Sequence, residues 1–242
     1  MSISLGIPTY NSSKYLWDCI KTSINCDFIS EIVIHDDGSN PTEYGNLCKI
    51  LNSLNTDKVK VFRSEINQKA FINKYLTVAN CTSEWVYLFD SDNWFDECIF
   101  DVIKNLDYSK KDTCYIESTL IMSDGNIVQY NYEDKIFDLK VTQKYIETSM
   151  HKLSWFLNNG NFIVNREQYL KTQKRYFVNT PYHASADVIV FSYFWLTSGN
   201  KYEIVDDWYH HHRIRPGNYF MENGGYSNIE VIRNFFSRLI SL

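Results

Sequence analysis

The chain has 242 residues, a length that predicts one compact domain or one domain with a small appendage. Hydrophobic residues make up 44% and charged residues 22%, which argues against a disordered, collagenous or coiled-coil chain. The formal net charge is −5, whereas proteins that grip a nucleic acid usually carry a basic surface. Nucleic acid is therefore not an expected partner.

Strand and helix patterns alternate along the first hundred residues. Four short apolar runs predict buried strands, at 3–7, 31–35, 59–63 and 85–89. Apolar residues at helical spacing predict helices near 15–23, 43–54 and 67–79. This alternation is typical of an α/β fold, in which parallel strands are joined by helical crossovers.

The second half of the chain has a less regular pattern. Segments 113–122 and 126–132 predict a hairpin, and 186–197 predicts an apolar helix. A short strand is expected at 202–205, before a polar segment with three consecutive histidines. Residues 229–242 predict an amphipathic helix that packs on the domain, or makes a homodimer or peripheral membrane contact.

The N-terminus and the cysteines bear on the cellular compartment. The opening residues, MSISLGIPTYN, lack the basic segment and long apolar run of a signal peptide. No stretch approaches the roughly 18 uninterrupted apolar residues of a membrane span. The cysteines show no CxxC spacing, so we expect reduced, buried cysteines in a cytoplasmic protein, with peripheral contact at the inner face of the membrane left open.

Polar residues follow three of the predicted strands at the point where each strand ends. The three clusters are Thr9-Tyr10-Asn11, Asp36-Asp37-Gly38-Ser39 and Asp90-Ser91-Asp92-Asn93. Open α/β sheets bind ligands beyond the carboxyl ends of their parallel strands, which lie at one edge. We therefore expect the three loops to form one ligand site together.

Asp90 and Asp92 are two carboxylates one residue apart at the end of an apolar strand. Oxygen ligands of this kind suit Mg²⁺ and Mn²⁺, which usually complete their coordination with substrate phosphates. The same triplet also occurs as a simple helix cap, so alone it does not identify a metal site. Its position at the sheet edge favours a divalent metal, manganese or magnesium.

Four motifs follow one another along the chain. They are Pro8-Thr9-Tyr10-Asn11, Asp36-Asp37-Gly38-Ser39, Asn67 with Ala70-Phe71-Ile72-Asn73, and Phe89-Asp90-Ser91-Asp92-Asn93. In order and spacing they resemble family 2 glycosyltransferases of the GT-A fold, well over about residues 3–105 and sparsely to about residue 220. The resemblance implies an α/β fold of GT-A type, with a Rossmann-like, mixed and mostly parallel sheet flanked by helices.

The resemblance also implies how a single domain over 1–242 is divided. Residues 1–105 would bind the nucleotide sugar, 106–220 the acceptor, and 221–242 would form a C-terminal helix. The residues expected to contact the donor are Pro8, Thr9, Tyr10, Asp37, Lys69, Asn73, Asp90, Ser91 and Arg213. Among these, Thr9, Tyr10 and Asp37 would hold the base and ribose, most often of uridine.

Three residues near the third motif bear on how the donor phosphates would be contacted. Gln68 and Ile72 stand where the family often has Gly and Arg, which puts the details of phosphate contact in doubt. Lys69 lies in the segment that commonly faces the nucleotide, where its ammonium would approach phosphate. An ordinary solvated helix lysine is an equal alternative for Lys69.

The resemblance implies a metal held by Asp92 and Asp90, with a histidine that completes the shell. His212 fits the spacing best and His210 second. In an extended segment, alternation puts these two histidines on one face and His211 on the other. Arg213 would neutralise the diphosphate, because an Arg fork matches phosphate oxygens.

The family places a catalytic acid at the start of a helix, and here the candidate is Asp187. A carboxylate at a helix N-terminus is stabilised by the helix dipole, which suits a general base. A plain N-cap is the structural alternative. Ala186 stands where the family often has Glu, which weakens the match.

These residues predict a glycosyltransferase that moves a sugar from a nucleotide diphosphate donor, a UDP-sugar first, to an acceptor hydroxyl. By resemblance the reaction would be inverting and dependent on Mn²⁺ or Mg²⁺, with a carbohydrate or glycolipid acceptor in polysaccharide or glycoconjugate synthesis. The alternative is a non-catalytic module that binds nucleotide sugars, or a partner subunit.

Overall fold

A computed structural model describes residues 1–54, 56–156, 160–174, 186–214 and 237–238. Its strands are β1 (Ile3–Thr9), β2 (Ile29–Asp36), β3 (Val59–Arg63), β4 (Trp85–Leu88), β5 (Thr113–Met122), β6 (Ile127–Gln129), β7 (Ile136–Phe137), β8 (Phe162–Asn165) and β9 (Lys201–His212). Its helices are α1 (Leu16–Ile24), α2 (Pro41–Asn52), α3 (Lys69–Asn80), α4 (Ile99–Ile103), α5 (Leu139–Phe156), α6 (Arg166–Lys174) and α7 (Ala186–Thr197).

The strands of the described residues form one mixed sheet, in the order β3-β2-β1-β4-β8-β5-β9-β7, and β6 pairs with β5. Strands β1 to β4 are parallel, β8 is antiparallel to both β4 and β5, and β9 is parallel to β5. Because two reversals restore the direction, β5 and β9 point the same way as β1. The carboxyl ends of β1, β2, β4 and β9 and the amino end of β8 therefore share one edge.

Both faces of the sheet are buried, which explains why a central strand such as β4 is apolar throughout. In β4, Trp85 and Tyr87 face one core cluster, whereas Val86 and Leu88 face the other. Helices α1 and α4 cover the first face, and α3 and α7 cover the second. The predicted α/β sheet flanked by helices is therefore confirmed.

Helix α2 shows how local residues set an element boundary. The Asn40 side chain accepts a hydrogen bond from the backbone N–H of Glu43, 3.0 Å away, and Pro41 occupies the first helical position. Both features favour a helix start, because Asn satisfies a free N–H and Pro has none to satisfy. The helix consequently begins two residues before the predicted position.

The second half departs from the sequence prediction in several elements. Helices α5 and α6 and strands β7 and β8 were not predicted, and β9 extends well beyond the short strand expected at 202–205. Strand β9 continues through a bulge: Val205 pairs with Glu117 and Tyr209 with Thr119, so four steps along β9 match two along β5. Most of the predicted helix at 229–242 lies outside the described residues.

Two observations concern the expected compartment. The cysteines are unpaired; Cys19, Cys81 and Cys114 are buried, Cys26 and Cys48 are half-buried, and Cys98 is exposed. The prediction of buried cysteines is therefore wrong for Cys98, which lies at the start of the short helix α4. Among the described helices, none combines the length and apolar character that crossing a membrane requires.

Glu31 ties together the start of β2, β1 and the loop before β4. Its buried carboxylate accepts hydrogen bonds from Ser4 Oγ at 2.6 Å, from Thr82 and from Lys60 Nζ at 2.7 Å. Burial by itself would raise the pKa of Glu31, but these hydrogen bonds outweigh it and lower the pKa to about 2. The ionised form is thus favoured in the folded state.

Glu31→Gln should lower the free energy of unfolding at pH 7 by roughly 2–3 kcal/mol, because the charged acceptor is lost. The folded pKa lies below the ordinary value of 4.5, so the wild-type advantage is complete above pH 4.5 and disappears as the pH falls towards 2. Urea unfolding of both proteins between pH 7 and pH 3 measures this. Glu84→Gln, in the exposed pair with Lys111, is the control and should have little effect. A difference that does not change with pH would contradict the assignment.

Candidate active site

The loops after β1, β2 and β4 are joined by direct hydrogen bonds. The Ser12 hydroxyl lies 2.8 Å from those of both Thr9 and Ser91, which links the first loop to the third. The backbone N–H of Asn11 donates to Ser39 Oγ at 2.8 Å, which links the first loop to the second. The predicted convergence of the three loops at one edge is therefore confirmed.

Asp37 shapes the segment that leads into α3. Its two carboxylate oxygens accept hydrogen bonds from the backbone N–H groups of Gln68, at 2.7 Å, and Lys69, at 2.9 Å. Burial raises the pKa of Asp37 and these bonds oppose that shift. Gly38 allows the close approach, because a Cβ there would lie 2.8 Å from the Ile66 carbonyl carbon.

Lys69 takes a left-handed backbone conformation, with φ of 74°, whereas Gln68 has φ of −86°. The positive φ that a glycine would adopt without strain is thus displaced by one residue from the position where the family often has Gly. The Lys69 side chain is exposed, in keeping with either predicted role.

The remaining predicted donor contacts differ in how open they are. Pro8 and Thr9 are buried at the end of β1, whereas Tyr10 is 46% exposed and presents its ring to solvent. Asn73 is buried on α3: its Oδ1 lies 2.9 Å from His35 Nδ1, and its Nδ2 donates to the Thr9 carbonyl at 3.3 Å. Asn73 therefore links α3 to β1 and β2, and it supports the predicted donor loops through these two strands.

An ion cluster around a buried lysine lies at this edge, and the sequence did not predict it. The ammonium of Lys74, on α3, is 3.2 Å from Asp90 Oδ1 and 2.9 Å from Asp187 Oδ2. Burial would lower the pKa of Lys74, but the carboxylates of Asp187 and Asp90 raise it well above its ordinary value. The cluster joins the predicted donor loop to the predicted general base, which lies in the first turn of α7.

Two residues before β8 complete the surroundings of Asp90. The side-chain oxygen of Asn161 accepts a hydrogen bond from the Asp90 backbone N–H at 2.7 Å. A Cβ on Gly160 would lie 2.6 Å from Lys74 Nζ and 2.7 Å from Asp90 Oδ2, so a larger residue would displace these two groups. Burial, opposed by Lys74 but reinforced by Asp92 and Asp187, raises the pKa of Asp90.

The structure places His210 in the core and not at a metal position. Its Nε2 lies 3.2 Å from Asn161 Nδ2, and its Nδ1 lies 3.0 Å from the buried carboxylate of Glu117. Because the Asn161 oxygen faces Asp90, its amide nitrogen donates to Nε2, so that lone pair is not open to a metal. His210 is fully buried. It supports the loop after β4 through Asn161 and does not fit the predicted role of metal ligand.

His212 lies on the same face of β9 as His210, whereas His211 points the other way. His211 Nε2 lies 2.9 Å from Asp96 Oδ2, and its ring stacks on Trp94. Burial, together with His210, lowers the pKa of His212 to about 4, against the opposing charge of Asp92. At neutral pH the His212 imidazole is therefore uncharged, the form that binds metals.

The donor set suits a metal that shares its coordination with a substrate. Within the described ranges, no three His, Cys, Asp or Glu side chains come close enough together to hold an ion alone. Asp92 and His212 do interact electrostatically, and they offer an oxygen and a neutral nitrogen. Mg²⁺ and Mn²⁺ usually take several ligands from water and substrate phosphates, so a metal at this pair would need ligands from the donor as well.

Arg213 is held by protein groups on three sides. Its guanidinium lies 4.6 Å from the ring centres of both Tyr15 and Trp94. Its Nε donates to the Asp92 carbonyl at 2.9 Å, and an NH2 group lies 3.1 Å from Asp18 Oδ2. These contacts make Arg213 a clamp on the loop after β4, and its predicted contact with the diphosphate stays a prediction.

The chain is similar to a known protein family and to a curated protein. The family model described as glycosyl transferase family 2 matches residues 4–188. Glycosyltransferase GlyG of Streptococcus pneumoniae serotype 4 is 24% identical over 181 residues, which cover 71% of this chain and 57% of that protein. The chain thus spans little more than half the length of this curated relative.

Solved structures show the same fold. S. aureus TarS 1-349 in complex with UDP-GlcNAc has a TM-score of 0.69 and 20% identity, over 99% of this chain and 65% of that one. The same protein in complex with UDP has a TM-score of 0.64 and 19% identity, over 99% and 70%. At these identities the likeness concerns the fold, which is of GT-A type. With the match over residues 4–188, it shows that the chain belongs to glycosyl transferase family 2.

Proposed function

We propose that this protein is a glycosyltransferase that transfers a sugar from a nucleoside diphosphate donor, a UDP-sugar in the first place, to an acceptor hydroxyl. The observation that carries the proposal is the meeting of Asp90, from the predicted donor loop, with Asp187, the predicted base, at one ammonium. Residues for donor binding and for proton removal thus lie side by side. TarS, which has this fold, was solved with UDP-GlcNAc and with UDP.

The donor would bind along the edge formed by the loops after β1, β2 and β4. The exposed ring of Tyr10 would stack on the base, and Asp37 and Asp90 would contact base and ribose. Asp92 and His212 would hold Mn²⁺ or Mg²⁺, which supplies positive charge opposite the leaving diphosphate when it is bound. A carbohydrate or glycolipid acceptor, at the cytoplasmic face of a membrane, completes the proposal.

The chemistry expected of Asp187 is removal of the acceptor proton. As the acceptor oxygen forms its bond to the anomeric carbon, the hydroxyl proton passes to the Asp187 carboxylate. The bond from that carbon to the diphosphate breaks on the opposite face and inverts the configuration. Asp187 is 11% exposed and sits next to the N-terminus of α7, where the helix dipole favours negative charge.

A non-catalytic nucleotide-sugar-binding module is the second candidate. One oxygen of Asp187 is already engaged by Lys74, and Ala186 stands where the family often has Glu. Both features favour a cleft that holds a donor without transferring it. Binding without turnover distinguishes this candidate from the enzyme.

Asp92→Asn should weaken UDP binding in the presence of Mn²⁺ by about 10- to 100-fold, because a metal ligand is lost. Calorimetric titration of UDP and GDP, each with and without Mn²⁺, measures the effect. Asp112→Asn, which removes a carboxylate from the surface pair with Lys201, is the control and should bind UDP like the wild type. Equal binding of UDP by both variants would show that Asp92 is not a metal ligand.

Asp187→Asn should leave the Kd of UDP nearly unchanged and slow the release of UDP from UDP-GlcNAc by about 100-fold or more, because the base is lost. UDP release, with water as acceptor, is followed with a coupled assay over a panel of UDP-sugars. Full turnover by the variant would show that another group removes the proton. A wild type that binds UDP but releases none from any donor would favour the binding module.

A further inference from the structure

Lys74 is the one group in the described part of the cleft that touches both the predicted donor loop and the predicted base. We infer that Lys74 is a positioning residue, which fixes the carboxylate of Asp187 against that of Asp90 so that base and donor keep one geometry. The inference rests on the proposed function, because it assigns the base role to Asp187. It adds a residue that neither the motifs nor the family match assigns.

The first support is the way in which the ammonium is satisfied. A lysine ammonium has three N–H donors, and Lys74 Nζ has three acceptors within reach. These are Asp187 Oδ2 at 2.9 Å, Asp90 Oδ1 at 3.2 Å and the Gly160 carbonyl at 3.4 Å. The Lys74 side chain is only 9% exposed. The group is therefore committed to this position and is not free to follow a substrate phosphate.

The second support is the position of the partners in the fold. Lys74 lies on α3, Asp90 follows β4, Gly160 precedes β8, and Asp187 lies in the first turn of α7. Four segments that are remote in sequence thus meet at one nitrogen. Two of them belong to the nucleotide-binding half and two to the acceptor-binding half, so the ammonium joins the halves across the cleft.

The third support is charge. Asp90 and Asp187 both approach the same nitrogen, so they are neighbours that repel each other when both are ionised. An ammonium between them removes that repulsion and gives each carboxylate a fixed direction. Without it, the repulsion would drive the two carboxylates apart.

The first test separates turnover from binding in Lys74→Ala. UDP release from UDP-GlcNAc should fall by about 100-fold, the loss expected when a reacting group is misplaced by about 1 Å. The Kd of UDP should change less, because Asp90 is the one predicted donor contact among the described residues with which Lys74 is paired. Lys111→Ala removes a surface lysine paired with Glu84 and should behave like the wild type.

Chemical rescue identifies the ammonium itself. Propylamine replaces the atoms that Lys74→Ala removes, and it should restore turnover in a saturable manner, whereas propan-1-ol, of similar size without charge, should not. Turnover that survives in Lys74→Ala would overturn the inference. Equal rescue by the amine and the alcohol would overturn it too, since filling space would then be the only role.

A second test does not depend on turnover. Lys74→Met, Asp187→Asn and the double variant are unfolded in urea at pH 7. If the two groups are coupled, the decrease in the urea midpoint of the double variant should be smaller than the sum of the decreases in the two single variants. Additive losses would overturn the inference. A wild type without UDP binding or turnover would defeat the proposed function, while the coupling in this cycle would still report on the pair.

Discussion

The geometry of the cleft depends on one ion cluster, in which the buried Lys74 ammonium lies between the carboxylates of Asp90 and Asp187. Moving ions out of water costs several kcal/mol each unless partners compensate closely. Here two carboxylates and the Gly160 carbonyl surround the ammonium. The cluster therefore contributes less to net stability than to geometry, because it is satisfied only when four segments are in place at once.

Helix α3 carries this constraint to the rest of the site. Asn73 and Lys74 are consecutive, and about 100° separates neighbouring side chains around a helix. Asn73 reaches back to the Thr9 carbonyl and to His35, while Lys74 reaches the ion cluster. One rigid helix, α3, thus sets the positions of the loops after β1 and β2 and of the two carboxylates. A shift of α3 would be felt in the donor loops and beside Asp187 together.

Much of the sheet and the convergence of its loops could be predicted, because buried parallel strands appear as continuous apolar runs and their polar ends share one edge. The role of Lys74 could not be predicted, because a lysine in an amphipathic helix looks like a solvated residue until its partners are placed. The core position of His210 depends on Glu117, 93 residues earlier, which no local pattern reveals. Strand β9 was expected to end at 205 because a polar segment follows, whereas it continues to His212 through a bulge in which Asp207 takes a positive φ of 62°.

Gly160 limits which substitutions this sequence can accept around the ion cluster during evolution. Its missing side chain is the space that Lys74 and Asp90 occupy, since an added Cβ would overlap both. A larger residue at position 160 is therefore compatible with the ion pairs of the cluster only when the Lys74 or Asp90 side chain moves or is replaced. Positions 74, 90 and 160 thus constrain one another, although they are far apart along the chain. Relatives that place a larger residue at 160 should be those in which the cluster is rearranged or in which position 74 or 90 differs as well.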